Sequence, residues 1–241
     1  MSGDSPVALV TGSHGGIGRE TVKALADVGF QVAGVSRQAD DDLEGLALGI
    51  PADLTDAEAC QAVMDQVARK FGRLDALVNN AGVNLWQRFE DWDSGAARQV
   101  FEVNVWGSLN ITHAATGLLS KGTRSSVVFT TSSAGSRGIS GTAAYGMTKA
   151  ALESCTRTLA IEWARIPIRV NAVSATIVPT DMNREARSSP DYLTAKIATI
   201  PMARMIEPAE VARAIAFLAS EASSGITGTT LHVDGGVTAR G

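Results

Sequence analysis

Short apolar runs alternate with longer stretches of helical periodicity from one end of the chain to the other. The strand-like runs lie at residues 7–11, 31–35, 49–52, 74–79, 126–131, 168–173 and 229–233. Helical patterns extend from a glycine-rich turn to about Val28 and then occupy residues 56–71, 97–119, 143–164 and 208–219. Because strands that are apolar at nearly every position are buried on both faces, this alternation predicts a parallel sheet covered by helices on both sides. Right-handed crossovers make it a doubly wound α/β sheet, with its ligand site at the carboxyl ends of the strands.

Two stretches fall outside this alternation. Residues 39–48 contain the acidic run Asp40–Asp42 and are predicted to form a solvated loop, while residues 180–200 mix polar and apolar positions. Asp56 and Pro208 are predicted to begin helices, Asp56 as an N-cap and Pro208 in a first turn. No internal repeat, low-complexity stretch or linker divides the sequence. We therefore expect residues 1–241 to form a single domain.

The composition of the 241 residues, 45% of them hydrophobic, suits a soluble domain with a large core. Lys and Arg number 21 against 25 Asp and Glu, which gives a formal net charge of −4. No run of basic residues offers a face that neutralises phosphates, so nucleic acid is not expected as a partner. Arg184 and Arg187 form a minor basic cluster, which is more typical of a solvated helix face.

The two cysteines, Cys60 and Cys155, lie far apart in predicted helices. A disulfide and two unpaired thiols are both compatible with the sequence, and unpaired thiols are expected in a reducing compartment. Cysteine and histidine do not occur at metal-ligand spacing, so no metal site is predicted. The polar stretch Met1–Pro6 resembles neither a signal peptide nor a transit peptide, and no run of about 18 apolar residues could span a membrane. We therefore expect a cytoplasmic protein without a membrane partner.

Tyr145 and Lys149 are the most informative pair of residues for chemistry. Residues four apart on a helix share one face, so the ammonium group can approach the phenol. A nearby positive charge favours the phenolate and is expected to lower the pKa of Tyr145 from about 10. A phenol tuned in this way acts as a general acid or base toward a carbonyl or an alcohol. Taken alone, the same spacing also arises by chance on solvated helices.

A glycine-rich turn, Thr11 to Gly18, follows the first predicted strand and opens a helix. Glycines at 12, 16 and 18 permit a tight turn and let backbone N–H groups approach a pyrophosphate at the positive end of the helix. A glycine-rich string alone is also found in ordinary turns, but here the strand–turn–helix context that the motif requires is present. The turn therefore predicts a dinucleotide site.

The ordered set of motifs resembles the short-chain dehydrogenase/reductase family, of the carbonyl reductase or 3-oxoacyl reductase type. The spacing of Gly12, Gly16 and Gly18 is similar to the TGxxxGxG turn of that family, and Tyr145 with Lys149 fills its YxxxK motif. The other matches are Asp53 in Ala-Asp-Leu, Asn79-Asn-Ala-Gly82, Asn104 in Val-Asn-Val, Ser132 thirteen residues before Tyr145, Asn171-Ala-Val and Asp234-Gly-Gly236. Any single match could arise by chance, whereas the ordered set covers essentially the whole chain.

The resemblance implies a Rossmann-fold oxidoreductase that transfers a hydride between a nicotinamide cofactor and a small to medium ketone or secondary alcohol. Ser132 is implied to hydrogen-bond the substrate oxygen, Tyr145 to donate the proton, and Lys149 to lower the tyrosine pKa and bind the nicotinamide ribose. Asn104 is implied to hold a water that connects Lys149 to solvent. The residues implied to bind the cofactor are Gly12, Ser13, His14, Gly16, Ile17, Gly18, Ser36, Arg37, Asp53, Leu54, Asn80, Ala81, Gly82, Tyr145, Lys149, Ile177 and Thr180.

Ser36 and Arg37, after the second strand, bear on the choice of cofactor. Relatives that prefer NAD usually carry an acid at the position of Ser36, where it binds both ribose hydroxyls. Serine does not repel a 2′-phosphate and arginine can pair with it, so we predict NADP, with NAD as the alternative. Two features oppose this prediction: Gly15 stands where NADP-preferring relatives often have Arg or Lys, and the acids Asp40–Asp42 lie close in sequence. Arg37 as a plain solvated loop residue also stays open.

One departure from the family pattern follows the sixth strand, where Ala175-Thr176 replaces the usual Pro-Gly. Loss of the glycine restricts positive φ at this point, and loss of the proline relaxes the preceding turn. We expect cofactor binding to survive and the shape of the adjacent substrate site to differ. Arg137 and Arg184 are candidates for binding an anion, although surface charge is favoured. The substrate pocket is predicted to be lined by Val83, Leu85, Trp86, Ile139, Met182 and Tyr192, which suits a partly apolar ketone or alcohol.

Two functional alternatives stay open. An NAD-dependent dehydrogenase of a cyclic diol or polyol uses the same residues, and a non-catalytic dinucleotide sensor does not need the set Ser132, Tyr145 and Lys149. The sequence contains no G-x-S-x-G elbow, which excludes a serine hydrolase of the common type. The resemblance further implies a homotetramer, or a homodimer, assembled through helix faces and the last strand.

Overall fold

The computed structural model describes residues 5–38, 42–122, 124–184 and 188–240, so Asp40, Asp41 and Arg187 lie outside the described residues. Seven strands form one sheet in the order β3-β2-β1-β4-β5-β6-β7, and every neighbouring pair is parallel. The strands are β1 Val7–Thr11, β2 Gln31–Ser36, β3 Leu46–Pro51, β4 Ala76–Asn79, β5 Ser125–Ser132, β6 Ile168–Ala175 and β7 Thr230–Val233. The α-helices are α1 Gly16–Asp27, α2 Ala57–Phe71, α3 Ser94–Phe101, α4 Gly107–Leu119, α5 Ser133–Ser136, α6 Ala143–Glu162, α7 Pro190–Ala198 and α8 Pro208–Ala219. This architecture confirms the predicted doubly wound α/β sheet.

The sheet is buried on both faces because successive side chains of a strand pack alternately into two apolar clusters. In β1, Leu9 packs in the cluster that contains residues of α2, α4 and α6, while Val10 packs in the cluster that contains residues of α1 and α8. The same alternation separates Phe129 from Val128 in β5. Helices on both faces leave the carboxyl edge of the sheet open, and β1 and β4, where the strand order reverses, lie side by side. Ligands of open parallel sheets bind at this reversal point.

Two predicted helix starts are confirmed by their local hydrogen bonds. Asp56 caps α2, since its side chain accepts a hydrogen bond from the Glu58 N–H at 2.8 Å. Pro208 occupies the first turn of α8, where its missing N–H is not needed, and a capping box joins Glu207 and Glu210. Both helices are therefore fixed by signals that lie in the sequence itself.

Two predicted boundaries are wrong. β3 begins at Leu46, inside the stretch predicted as a loop, because Leu46 and Leu48 pack beside the two apolar clusters and Gly45, with φ +86°, turns the chain into the strand. The predicted helix over residues 97–119 is interrupted by a π-helix at Glu102–Trp106. A π-helix inserts an extra residue into the helical turn, and hydrophobic periodicity does not reveal that insertion.

Cys60 and Cys155 are both free thiols, which favours the expectation of unpaired cysteines. Burial is the main cause that raises the pKa of the Cys60 thiol to about 11, so this sulfur is a poor nucleophile. Among the helices of the described residues, none combines the length and apolar character needed to cross a membrane.

Candidate active site

A cavity of about 1260 Å³ lies along the carboxyl ends of the strands. Most of the predicted cofactor residues line it, together with Ser132, Tyr145 and Lys149. The predicted cofactor residues found there are Gly12, His14, Gly16, Ile17, Ser36, Arg37, Asp53, Leu54, Asn80, Ala81, Gly82, Tyr145, Lys149, Ile177 and Thr180. The fold thus brings the glycine turn and the chemical residues, more than 100 positions apart in the sequence, into one cavity.

The glycine turn fits a pyrophosphate because side chains are excluded from it. Gly12 adopts φ +65°, and a Cβ there would lie 2.9 Å from the Ala81 Cα. A Cβ on Gly18 would overlap the Gly12 carbonyl oxygen and lie 2.8 Å from the Asn80 Nδ2. Gly15 supplies no side chain at the N-cap of α1, and the first turn of α1 contains no acid. The positive end of a helix therefore faces the cavity without an internal counter-charge, as a dinucleotide site requires.

Hydrogen bonds hold the end of β4 against this turn. The Thr11 hydroxyl oxygen accepts from the backbone N–H groups of Asn80 and Ala81, each at 3.0 Å. The Asn80 amide nitrogen donates to the carbonyl oxygens of Thr11 at 3.1 Å and Gly12 at 3.3 Å. Thr11 and Asn80 thus act as braces between neighbouring strands, and this explains the Asn79-Asn-Ala-Gly82 motif in terms of sheet geometry.

Two predicted cofactor residues do not line the cavity. Ser13 is 2% exposed and its hydroxyl packs on Gly34 of β2, where a Cβ would lie 2.6 Å from the Ser13 Oγ. Gly18 lies behind the turn, where it allows α1 to approach Gly12 and Asn80. Both residues shape the turn from behind.

Arg37 and Asp53 line the part of the cavity that lies beside the ends of β2 and β3. Arg37 is exposed directly after β2, next to the half-buried Ser36. Hydrogen bonds from the Thr55 N–H and hydroxyl lower the pKa of the Asp53 carboxyl, with a smaller effect from the charge of Arg37. The Asp53 Oδ1 accepts both bonds from Thr55, at 3.0 Å and 2.8 Å. Asp53 is therefore ionised and held in place near a cation.

Ser132 and Tyr145 meet at the centre of the cavity. Ser132 ends β5 and caps the short α5, where its hydroxyl oxygen accepts from the Ala134 N–H at 3.2 Å. The Ser132 side chain also hydrogen-bonds the Tyr145 phenol. The two hydroxyls, one from β5 and one from the first turn of α6, form a pair that could hold one oxygen atom between them.

Lys149 lies one helical turn beyond Tyr145, as predicted, but its effect on the phenol is not the predicted one. Its ammonium lies 5.5 Å from the centroid of the Tyr145 ring and donates to the Thr130 carbonyl oxygen at 2.9 Å. Burial raises the pKa of Tyr145, against a smaller lowering by the hydrogen bond from Ser132. Burial also lowers the pKa of Lys149, to about 8. The predicted lowering of the tyrosine pKa is therefore wrong for this arrangement, because desolvation of the buried phenol outweighs the lowering by the Ser132 hydrogen bond.

Asn104 lies in the π-helix and is fully buried. Its Oδ1 accepts from the Val83 N–H at 2.7 Å, and its Nδ2 donates to the Val83 carbonyl oxygen at 2.9 Å and to the Thr148 hydroxyl at 3.2 Å. The amide is thus engaged with the loop after β4 and with α6. These contacts are those of a positioning residue.

The segment after β6 reaches the glycine turn from the other side. A Cβ on Gly16 would lie 2.7 Å from the Thr180 Cγ2, so Thr180 closes over the turn. Among the described non-glycine residues, Ala203 alone has a positive φ. Thr176, which stands at the position of the usual glycine, therefore has a negative φ. The departure from Pro-Gly is accommodated without backbone strain.

The substrate end of the cavity is lined by five of the six predicted residues, namely Val83, Trp86, Ile139, Met182 and Tyr192. Leu85, the sixth, does not line it. Residues that the sequence did not single out also line the cavity, among them Asn84, Thr130, Thr142, Asn183 and Lys196. Asn84 and Thr142 lie outside the strands and α-helices, where no periodicity fixes the direction of a side chain.

Comparison with known proteins agrees with this geometry. A family model described as enoyl-(acyl carrier protein) reductase matches residues 12–238. The chain is 39% identical over 236 residues to an L-xylulose reductase of Bos taurus, covering 95% of each. Among solved structures, the ligand-free aldohexose dehydrogenase of Thermoplasma acidophilum superposes with a TM-score of 0.91 at 30% identity, covering 98% of this chain and 95% of that one. ElxO with NADP bound also superposes with a TM-score of 0.91, at 27% identity, covering 98% of this chain and all of the other.

These likenesses extend over nearly the whole chain, and they coincide with a glycine turn and a Tyr-Lys pair that line a single cavity. The proteins that resemble it are named as reductases and dehydrogenases. The protein is therefore a member of the short-chain dehydrogenase/reductase family, an NAD(P)-dependent oxidoreductase of ketones and alcohols.

Proposed function

We propose that residues 1–241 act as a single catalytic domain, an NADP(H)-dependent carbonyl reductase of small to medium ketones. The observation that carries this proposal is that Ser132, Tyr145 and Lys149 line the same cavity as the glycine turn. A non-catalytic dinucleotide sensor needs the glycine turn alone. The shared cavity instead supports a reaction at the hydroxyl pair beside the bound cofactor.

In this proposal the carbonyl oxygen of the substrate lies between the hydroxyls of Ser132 and Tyr145. A nicotinamide cofactor held along the strand ends supplies the hydride. Negative charge that develops on the oxygen is stabilised by the Ser132 hydroxyl, and Tyr145 transfers its proton to that oxygen. Burial raises the pKa of Tyr145, so the phenol carries the proton that it donates.

Lys149 and Asn104 support the proton donor in different ways. The Lys149 ammonium, with a pKa of about 8, is mainly protonated at neutral pH and can return a proton after turnover. A Cβ on Gly82 would lie 3.1 Å from the Asn104 Oδ1 and 3.7 Å from the Lys149 Nζ, so both groups adjoin the same glycine. Through its bonds to Val83, Asn104 holds the loop after β4 beside Lys149.

NADP is the proposed cofactor, with NAD as the alternative. Arg37 is exposed beside Ser36 at the rim of the cavity, where a guanidinium can pair with a 2′-phosphate in two parallel hydrogen bonds. The NADP bound by the structurally similar ElxO supports this choice. The acid Asp53 lies beyond β3, where it accepts hydrogen bonds from Thr55, and not at the position of Ser36, where NAD-preferring relatives carry their acid.

A homotetramer, or a homodimer, is the proposed assembly. Trp106, Met147 and Ile161, on the π-helix and α6, are 52%, 48% and 79% exposed, and Phe217 of α8 and Leu231 of β7 add a second apolar surface. Two separate apolar surfaces on one chain suit two interfaces, as a tetramer of dihedral symmetry requires. Light scattering after size exclusion should give four chains, and a monomer would contradict this proposal.

The activity is tested by following absorbance at 340 nm with NADPH or NADH and a panel of diketones, ketoesters and sugars. We expect ketone-dependent loss of NADPH at a higher kcat/KM than of NADH. Tight NADPH binding without oxidation by any ketone, and without reduction of NADP⁺ by any alcohol, would support the sensor instead. Oxidation of cyclic diols or polyols with NAD⁺ at a higher kcat/KM would support the dehydrogenase alternative.

A further inference from the structure

Trp86 is a large apolar side chain that remains 65% exposed at the rim of the cavity. Among the large exposed apolar residues in the described part of the chain, Trp86 and Met182 are those that line the cavity. The others lie on outer helix faces, strand edges and turns. An exposed indole that faces a ligand cavity is typical of a binding surface.

The indole of Trp86 is fixed in one orientation by the loop that precedes α6. Its Nε1–H donates to the Ser140 carbonyl oxygen at 3.2 Å. One edge of the ring rests on Gly141, where an added Cβ would lie 2.6 Å from the Trp86 Cε2. Gly141 has φ +79°, a conformation that favours glycine. The indole contact therefore requires glycine at this position for two reasons, the backbone conformation and the lack of room for a Cβ.

The contact joins two loops that come from distant parts of the sequence. Next to the indole, the Gln87 N–H donates to the Gly141 carbonyl oxygen at 2.8 Å. The loop after β4 is thereby fastened to the loop before α6, whose first turn carries Tyr145. Because the two loops are already joined, Trp86 loses little conformational freedom when a ligand binds against it.

We propose that Trp86 is a specificity-determining residue that selects ketones with a flat ring, above all an aryl group, attached near the carbonyl. This inference rests on the proposed reductase function. The indole is held by one edge on Ser140 and Gly141 and lines the cavity, so its ring is available to a ligand, and Val83 and Ile139 line the cavity from the same two loops. Stacking of two rings adds to the effect of simple burial, so we expect a preference of roughly tenfold for the ring over a methyl group.

A matched pair of diketones tests this preference. 1-Phenylpropane-1,2-dione carries a phenyl group where butane-2,3-dione carries a methyl, so both offer the same reacting unit. We expect the wild-type enzyme to have the higher kcat/KM for the phenyl compound. Trp86→Ala should reduce the ratio of the two kcat/KM values roughly tenfold, mostly through KM, and Trp86→Phe should reduce it less.

Two further variants separate the indole face from general damage to the loop. Gly141→Ala leaves Trp86 in the sequence but removes its seat, so it should also reduce the ratio. Phe89→Ala removes an equally exposed aromatic, 72% exposed, that does not line the cavity, and it should leave the ratio as in the wild type. An unchanged ratio in both Trp86→Ala and Gly141→Ala would overturn the inference.

A binding measurement keeps this test separate from the fate of the proposed function. Calorimetric titration of the phenyl diketone into the protein saturated with NADP⁺ requires no turnover. We expect Trp86→Ala to raise Kd at least fivefold above that of Phe89→Ala, and equal values would refute the inference. Failure of the wild type to reduce either diketone would count against the reductase function, while the titration would still decide the role of Trp86.

Discussion

The two ends of the cavity are formed by different parts of the residues that line them, the main chain at one end and side chains at the other. At the dinucleotide end, the shape comes from the main chain and from positions where a side chain cannot fit, as at Gly12 and Gly18. At the substrate end, side chains on loops form the wall, with Trp86 and Met182 more than half exposed. The glycines of the first end leave no room for a side chain, and the second end depends on a few contacts between loops. This division allows proteins of one fold to share a cofactor and differ in substrate, because loop side chains can change without disturbing the glycine turn.

The sharpest test of the division lies where the two ends meet, at Tyr145. Tyr145→Phe removes the proton donor and leaves the ring, so turnover should fall about 10³-fold while NADPH affinity changes by less than about threefold. Steady-state absorbance at 340 nm and a fluorescence titration of NADPH measure the two quantities. A residual rate above about a tenth of the wild type would contradict the proton-donor role.

Gly18→Ala probes the tight packing of the dinucleotide end. The new methyl group would overlap the Gly12 carbonyl oxygen, so we expect a loss of about 3 kcal/mol in the free energy of unfolding and weak NADPH binding. Gly117→Ala is the matched control, since this glycine of α4 has no atom within 4 Å of an added Cβ. Helix propensity should make the control more stable by up to about 1 kcal/mol. Urea unfolding measures both, and equal effects would remove the distinction.

Lys149 allows a test of burial at the centre of the site. In the folded protein burial lowers its pKa from 10.5 to about 8, so between these pH values the unfolded chain binds more protons than the folded one. Its contribution to stability is therefore fully present above pH 10.5 and lost as the pH falls through about 8. The stability of the wild type relative to Lys149→Met should rise with pH across this range, by up to about 3 kcal/mol. Lys70→Met, at an exposed position of α2, should show no such trend in urea unfolding at several pH values.

Arg37→Ala tests the outer rim of the dinucleotide end, where a side chain rather than the main chain carries the selectivity. Loss of the guanidinium should raise the Kd for NADPH by roughly ten- to a hundredfold and that for NADH by less than about twofold. Competitive titrations with both cofactors measure the difference. Equal weakening for the two cofactors would remove the argument for NADP and favour the NAD alternative.

The sequence predicted the dinucleotide end well because spacing encodes main-chain geometry. Gly12 and Gly16 were assigned from the strand–turn–helix context and line the cavity, while Gly18 lies behind the turn, against Gly12 and Asn80. The sequence did not reveal that the Ser13 hydroxyl packs on Gly34, since periodicity does not tell which side of a turn a hydroxyl faces. The alternation of apolar strands and helical patterns likewise predicted the sheet, whereas the π-helix around Asn104 left no trace in the periodicity.

The substrate end was predicted less completely because its contacts are not local. Leu85 and Trp86 are neighbours in the sequence, yet only Trp86 lines the cavity, and it is held there by Ser140 and Gly141. The direction of the Tyr145 pKa shift was also mispredicted, because proximity of a cation is visible in the sequence and the depth of burial is not. Such properties depend on how distant segments pack, and spacing along one segment does not encode them.

The central claim is that hydride and proton reach one carbonyl group in this cavity. The most direct test is the reduction of 1-phenylpropane-1,2-dione by NADPH that carries deuterium at both C4 positions, followed by mass spectrometry of the product alcohol. We expect a product one mass unit heavier from the wild type and none above background from Tyr145→Phe, although both bind the cofactor. Reduction without deuterium in the product, or deuterium transfer that persists in Tyr145→Phe at the wild-type rate, would contradict the claim.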